Sequence, residues 1–151
     1  MRPPILTSRS IGIAENALRA LLTRTLTGTD LTYQRWVAMK LVADSATPVP
    51  VAMVVTRLQD ALKLDEATAL AAIDDLHAMD VVERIGQKVT ITLRGLSLHR
   101  RLCEETGEIA QRIYAGLDPD DLAATHRVLS IVTERANALL AERQVADRVV
   151  P

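Results

Sequence analysis

The stretch VVERIGQKVTITL, residues 81–93, departs from the pattern of the rest of the chain. Two short runs rich in β-branched residues, which are typical of strands, flank the dipeptide Gly86-Gln87. A glycine at the first central position suits a two-residue type II′ turn, because that turn requires a positive φ there. The stretch therefore predicts a tight antiparallel hairpin.

On both sides of this hairpin, apolar residues recur at intervals of three and four, the spacing that predicts amphipathic helices. Asp30, Asp65 and Asp118 are predicted as N-caps, since aspartate accepts hydrogen bonds from the free backbone N–H groups of a helix start. Pro48 and Pro50 predict a loop before the third helix. The predicted helices cover residues 11–26, 31–43, 51–62, 65–79, 95–115 and 119 to about 143.

The third and fourth predicted helices are joined by a short turn and are followed at once by the hairpin. This is the layout of a winged helix-turn-helix. In the fourth helix, we expect four positions to face the core, namely Leu70, Ile73, Leu76 and either His77 or Met79. The sequence thus predicts a mostly α (α+β) fold, in which residues 31–93 form a lobe with a two-stranded wing.

The outer segments, residues 11–30 and 94–145, are predicted to be an N-terminal dimerisation helix and a pair of C-terminal dimerisation helices. Their apolar stripes exceed what a lobe of this size can cover, so packing between two copies is the economical explanation, and a symmetric dimer is its commonest form. Residues 1–10 are expected to be flexible, and residues 146–151 to be a frayed tail. The predicted dimer contacts are Ile11, Leu18, Leu22, Leu122, Leu129, Val132, Ala136 and Leu139.

The composition, 48% hydrophobic and 25% charged, is typical of a globular protein. The only aromatic residues are Tyr33, Trp36 and Tyr114, which disfavours binding of single-stranded nucleic acid by base stacking. No apolar run approaches the length of a membrane span, and residues 1–10 lack the apolar core of a signal peptide. We therefore expect no membrane association and a cytoplasmic location.

Motifs typical of enzymes are missing from the sequence. It contains no Ser-His-Asp order, no glycine-rich phosphate loop and no paired-carboxylate motif, so we predict a protein that is not an enzyme and needs neither cofactor nor metal. His99 and Cys103, four residues apart on one helix face, could begin a zinc site or a thiol switch, but a metal needs further ligands. We favour simple packing of this thiol against the histidine.

Four motifs, in order, resemble those of the MarR family of bacterial transcription regulators over about residues 11–143. They are LTYQRW at 31–36, LKLDEAT at 62–68, DLHAMDVVER at 75–84 and LDPDDL at 117–122. The resemblance implies a homodimer that places two recognition helices in successive major grooves of a pseudo-palindromic operator. It also implies a repressor that a small, often phenolic or lipophilic, ligand releases from DNA.

In that arrangement the fourth helix is the recognition helix and the hairpin is the wing. The ligand position that the resemblance implies lies near Tyr33, Trp36 and Met39, although core packing explains the same residues without a ligand. The side chains expected to contact double-stranded DNA are hydroxyl-bearing or basic: Thr32, Arg35, Thr56, Arg57, Thr68, Arg84 and Lys88.

The formal net charge of −1 is distributed unevenly. Residues 64–80, which contain the predicted recognition helix, carry five acids and no Lys or Arg, whereas residues 81–101 carry a net charge of +4. Because DNA-binding affinity arises largely from cations that meet phosphates, an acidic recognition helix predicts weak DNA binding. The turn at Gly86-Gln87 is also shorter than the wings of the family, so we expect no minor-groove contact.

Two other functions stay open at this point. The acidic face formed by Asp65, Glu66, Asp74 and Asp75 could bind a basic protein partner in place of DNA, or the dimer could sense a small molecule without DNA. Asp65 and Glu66 also have a purely structural interpretation, as a cap and a first-turn acid that stabilise the helix through its dipole.

Overall fold

Six α-helices and three short strands make up residues 5–149, which the computed structural model describes; at 146, 148 and 149 it describes the backbone alone. The mostly α (α+β) fold predicted from the sequence is confirmed. The chain divides within its fifth helix into two units, one ending at Ile109 and the other beginning at Ala110. The elements are α1 (Ser8–Leu26), α2 (Tyr33–Ala43), β1 (Val49–Pro50), α3 (Val51–Leu62), α4 (Glu66–Ala78), β2 (Val82–Ile85), β3 (Lys88–Ile91), α5 (Leu93–Tyr114) and α6 (Pro119–Val149).

The hairpin forms as predicted, with β2 antiparallel to β3 and Ile85 paired with Lys88 at the last rung. Gly86 has a φ of +61°, as the first central residue of a type II′ turn requires. The predicted two-stranded wing lacks one strand of the observed sheet. β1 pairs with the other edge of β3, so the sheet has three strands in the order β1-β3-β2. Pro50 is tolerated in β1 because this edge strand is only two residues long.

Threonine side chains cap the first two helices. The aspartate predicted as the cap of α2 does not have this role. The Oγ1 of Thr7 accepts from the backbone N of Ser10, so α1 begins at Ser8 and includes residues expected to be flexible. Thr32 caps α2 by accepting from the backbone N of Arg35. Asp30 is not the cap, because its φ of +59° places it in the left-handed region of the preceding loop, where aspartate is tolerated.

The predicted caps of the fourth and sixth helices are confirmed. Asp65 accepts from the backbone N of Thr68 at 2.7 Å, and Asp118 accepts from the backbone N groups of Asp120 and Asp121 at 2.8 and 3.3 Å. α6 extends to Val149, past the end expected near residue 143, and residues 150 and 151 of the predicted tail lie outside the described range.

The core lies where α2, α3 and α4 pack against one another and against the sheet. Met39, Leu58, Ile73, Leu76 and Val89 are each 0% exposed within it. The predictions for Ile73 and Leu76 are therefore confirmed.

The prediction for Leu70 is wrong, since it is 37% exposed. Ala69 takes the buried position in that turn of α4, because the helix faces the core along Ala69, Ala72, Ile73 and Leu76. α4 consequently presents an apolar side chain to its outer surface.

A close contact joins the end of α4 to the start of α5. The hydroxyl of Thr92 donates to the carbonyl oxygens of Asp80 and Val81 at 2.7 and 3.0 Å and accepts from the backbone N of Gly95 at 3.0 Å. A Cβ at Gly95 would lie 2.0 Å from the carbonyl oxygen of Val81. Only glycine allows this approach of two backbones.

We predict opposite effects for the same substitution at two glycines of α5. Gly95→Ala should lower the free energy of unfolding by about 3 kcal/mol, because the new methyl forces the backbones apart. Gly107→Ala is the matched control, since a Cβ there meets nothing within 4 Å, and it should raise the free energy of unfolding by about 0.5–1 kcal/mol. Urea denaturation at one fixed protein concentration measures both, and a neutral Gly95→Ala would contradict the close contact.

Candidate nucleic-acid interface

The outer face of α4 is the surface that the fold leaves open in the helix-turn-helix. Ala67, Leu70, Ala71 and Asp74 are exposed along it, and Thr68 is exposed in the first turn. Small and apolar side chains thus dominate this face, and only Asp74 carries a charge in its middle. Such a surface can approach another molecule closely, and apolar side chains of this kind contact the methyl group of thymine.

The first turn of α4 is fixed by its cap. The backbone N–H of Thr68, and after it the Thr68 hydroxyl, hold the pKa of Asp65 below its ordinary value. This hydrogen bond contributes stability above the ordinary pKa and loses it as the pH falls through the lowered value. Asp65 is therefore ionised at neutral pH and already engaged within the helix.

Arg35 of α2 is bound to α4 rather than directed outward. Its Nε and Nη2 donate to Oδ2 of Asp75 at 3.1 and 2.7 Å, and its Nη1 donates to the carbonyl oxygen of Asp30 at 2.8 Å. All three guanidinium nitrogens are thus engaged inside the lobe. The predicted DNA contact Arg35 and the predicted acidic-face residue Asp75 satisfy each other.

Arg84 of β2 engages the neighbouring acid. Its Nη2 lies 3.0 Å from Oδ1 of Asp74, and both side chains are partly exposed, at 36% and 54%. Three of the four acids of the predicted acidic face are therefore partnered, Asp65 as a cap and Asp74 and Asp75 in ion pairs. The two ion pairs offset two of the five negative charges of residues 64–80.

The tip of the wing is tied to the start of α3. The backbone N of Val51, the first residue of α3, donates to the carbonyl oxygen of Gln87 at 2.9 Å. Lys88 pairs across the sheet with Pro50 and is exposed. The wing therefore ends level with α3, and Lys88 is the cation that it carries at its tip.

The remaining predicted contacts lie on α3 and at the start of α2. Thr56 is exposed, and its hydroxyl donates to the carbonyl oxygen of Ala52. Arg57 is also exposed and lines a depression of about 450 Å³ together with Met53. Thr32 is exposed at the N-terminus of α2, where it serves as the cap.

Several solved structures share this arrangement of helices and strands. BpsR of Bordetella bronchiseptica is 20% identical, with a TM-score of 0.68 over 89% of this chain and 98% of that one. CouR from Rhodococcus jostii RHA1 is 15% identical, with a TM-score of 0.68 over 82% and 88%. A MarR-family regulator from Silicibacter pomeroyi is 18% identical, with a TM-score of 0.65 over 81% and 84%. The chain has the MarR-type winged-helix fold. No protein-family model and no curated protein sequence matches it.

The predicted ligand residues differ in burial in this MarR-type fold. Trp36 and Met39 are buried in the core, at 5% and 0% exposure, as the core-packing alternative holds. Tyr33 is half-buried elsewhere, with the guanidinium carbon of Arg19 at 4.5 Å from its ring centroid. A depression of about 320 Å³ adjoins Tyr33 between α1 and the turn after α3.

His99 and Cys103 are in contact on α5, with the Sγ of Cys103 3.3 Å from Nε2 of His99. The histidine ring also packs against Trp36, at a centroid distance of 6.0 Å. Burial lowers the pKa of His99, the charge of Asp44 opposes this shift, and Lys40 adds to it. Across residues 5–149, no three His, Cys, Asp or Glu side chains converge as a metal site would need, and no helix has the length and apolarity to cross a bilayer.

We predict that the coupling free energy between Arg35 and Asp75 exceeds that of a fully exposed ion pair on the surface of the same protein. A double-mutant cycle with Arg35→Ala and Asp75→Ala should give a coupling free energy of about 1 kcal/mol, because the pair is partly shielded from water and bridges two helices. The control cycle uses Arg19 and Glu15, an exposed pair within α1, for which about 0.3–0.5 kcal/mol is expected. Equal coupling in the two cycles would show that Arg35 does not hold α4.

Proposed function

We propose that this protein is a DNA-binding transcriptional regulator that acts as a homodimer, and that α4 is its recognition helix. The observation that carries the proposal is the pairing of Asp74 with Arg84 and of Asp75 with Arg35. These ion pairs reduce the repulsion that an acidic helix would feel in a DNA groove. The MarR-type fold supports the same function by analogy.

Base recognition is assigned to the outer face of α4. Ala67, Leu70 and Ala71 are suited to thymine methyl groups, and the hydroxyl of Thr68 can meet either a base edge or a phosphate. Glu66, an exposed acid in the first turn, can accept a hydrogen bond from the amino group of cytosine. The major groove is wide enough to admit a helix in this way.

Phosphate contacts are assigned to residues around α4. Lys88 at the wing tip and Arg57 on α3 supply positive charge, and Thr56 and Thr32 supply hydroxyl groups. The free backbone N–H groups at the start of α2 add a further anion-binding element beside Thr32. Arg84 can join these contacts when it leaves Asp74, so it acts as a second cation of the wing.

Homodimerisation is assigned to the apolar faces of α1 and α6, each considered by itself. On α6, Leu122, Leu129, Val132 and Leu139 are 36% to 60% exposed in the single chain, which is costly for a helix of 31 residues unless another chain covers them. On α1, Leu18 is exposed and Ile11 is half-buried. Leu22 packs against the core of its own lobe and is therefore a weaker dimer candidate.

Repression that a small molecule relieves is the mode of action we propose. The DNA binding of BpsR is regulated by 6-hydroxynicotinic acid, NadR has been solved with 4-hydroxyphenylacetate, and CouR has been solved with p-coumaroyl-CoA. A small phenolic or lipophilic ligand is therefore the first class to test on this chain. Binding to a basic protein partner is less favoured, because Asp75 is already engaged by Arg35 and Asp65 by the first turn of its own helix.

We predict that duplex DNA from the gene's own upstream region binds in a strongly salt-dependent manner. Affinity measured by fluorescence anisotropy should fall by orders of magnitude between about 50 and 200 mM salt. Lys88→Ala should weaken binding to all sequences and reduce the salt slope by about one, whereas Leu70→Ala should reduce discrimination against a scrambled duplex.

A variant that is expected to increase DNA affinity complements those that decrease it. Asp74→Asn should raise DNA affinity, because it frees Arg84 and removes a negative charge from the centre of the α4 face, and Arg84→Ala in the same background should remove the gain. Arg112→Ala, in the last turn of α5, is the control for a loss of positive charge elsewhere. Absence of DNA binding even at low salt would refute the proposed function.

We predict that Leu129→Glu converts the dimer to monomer in sedimentation experiments, because a buried, unpaired charge opposes association. Ala138→Glu is the matched control, since it adds the same side chain on the opposite side of α6 and should leave the dimer intact. Identical sedimentation of the two variants would place the dimer contacts on a different surface.

A further inference from the structure

A depression of about 380 Å³ lies beside the start of α5, apart from the core and from the outer face of α4. One wall is the loop 28–30 between α1 and α2. The other wall is formed by Arg94, Ser97, Leu98 and Arg101 of α5. We call this feature the α5 depression, and its volume falls within the range of ordinary small-molecule sites.

The two arginines of the α5 depression are available for an external anion. Arg94 and Arg101 are both exposed. Arg101 has only a long contact of 3.9 Å with Glu105, and within residues 5–149 no carboxylate lies within ion-pair distance of Arg94. Arginine binds carboxylates through paired hydrogen bonds, which makes these side chains suited to an organic acid.

The spacing of the arginines indicates the shape of that acid. They are seven positions apart, which is about two helical turns or roughly 10 Å along the axis, so both lie on one face of α5. Leu98, half-buried against the core, lies between them. The site thus offers two separated positive charges with an apolar floor between them. Phosphate concentrates its charge at one point, so it suits these two separated charges less well than an acid with two anionic ends.

The loop wall of the α5 depression is connected to α4 by hydrogen bonds. Gly28 and Asp30 have φ values of +84° and +59°, so this loop holds a specific tight conformation. The carbonyl oxygen of Asp30 accepts from Arg35, and Arg35 donates to Asp75 of α4. Two successive contacts, Asp30 to Arg35 and Arg35 to Asp75, thus connect this loop to α4.

We propose that the α5 depression binds a small dicarboxylate with an apolar middle, and that this ligand regulates α4 through Asp30, Arg35 and Asp75. The regulatory part rests on the proposed function, whereas the binding does not. The ligand differs from the phenolic or lipophilic class considered above, because its recognition depends on two anionic ends held by Arg94 and Arg101.

Isothermal titration calorimetry tests the binding with three probes. Terephthalate carries two carboxylates on an apolar ring, benzoate carries one, and inorganic phosphate has no apolar part. Terephthalate should bind more tightly than the other two. Arg94→Ala and Arg101→Ala should each weaken it by about tenfold or more, since each removes a charge-assisted hydrogen bond.

Arg100→Ala is the matched control, because Arg100 is an exposed arginine of the same helix that does not line the depression. It should leave terephthalate binding unchanged, and circular dichroism establishes that all three variants fold. Failure of terephthalate to bind, equal weakening by Arg100→Ala, or equally tight binding of phosphate would each overturn the inference.

Hydrogen exchange of residues 66–78 tests the connection to α4 without DNA. Terephthalate should slow exchange in the wild-type protein, because it immobilises the loop that holds Arg35. Asp75→Asn should keep terephthalate binding and lose this effect. Unchanged exchange in the wild type would overturn the regulatory part.

The two proposals fail separately. If the protein binds no DNA, the proposed function fails, while terephthalate binding and hydrogen exchange still decide this inference. If DNA binds but terephthalate does not, only this inference fails. Loss of DNA binding in Arg94→Ala, without any terephthalate binding, would assign the arginines to DNA phosphates and overturn the site.

Discussion

The contact between Arg35 and Asp75 joins α2 to α4 across 40 residues of sequence, and it braces a helix whose opposite face is already buried in the core. On the other side of α4, Arg84 of β2 contacts Asp74. The helix is thus held between a helix and a strand by two ion pairs that also cancel part of its charge. Consecutive aspartates on α4 therefore serve to orient the helix, and the cations they attract come from two different elements.

Much of the fold could be predicted because its signals are local. The glycine of the type II′ turn, the Asp65 cap three residues from its N–H partner, and the bounds of α3 each depend on neighbours in sequence. Features formed by distant residues could not be predicted in the same way. The sequence around Pro50 predicts a loop, because the pairing of β1 with the distant β3 leaves no local signal. Asp30 is predicted as a cap because its positive φ is not evident from the sequence.

The sequence shows which charged residues α4 carries, but it does not show which ion pairs and hydrogen bonds they form. A net charge summed over residues 64–80 contains no information about partners, so the α4 surface was expected to be more acidic than it is. The apolar spacing with Ile73 predicts Leu70 in the core, whereas the small Ala69 takes the buried position and allows α4 to pack closely with its neighbours. The positions of Trp36 and Met39 in the sequence fit a ligand pocket and a hydrophobic core equally well. In the structure both side chains are buried in the core.

The hydrogen bond between Val51 and Gln87 has a mechanical consequence, because it makes the wing tip part of the same body as α3. The wing tip cannot move away from α3 without breaking this hydrogen bond and disturbing the pairing of β1 with β3. Under the proposed function, a signal that reaches the lobe displaces α3 and the wing tip together. Release from an operator is then a single cooperative event, because the wing and α3 leave the DNA as one body.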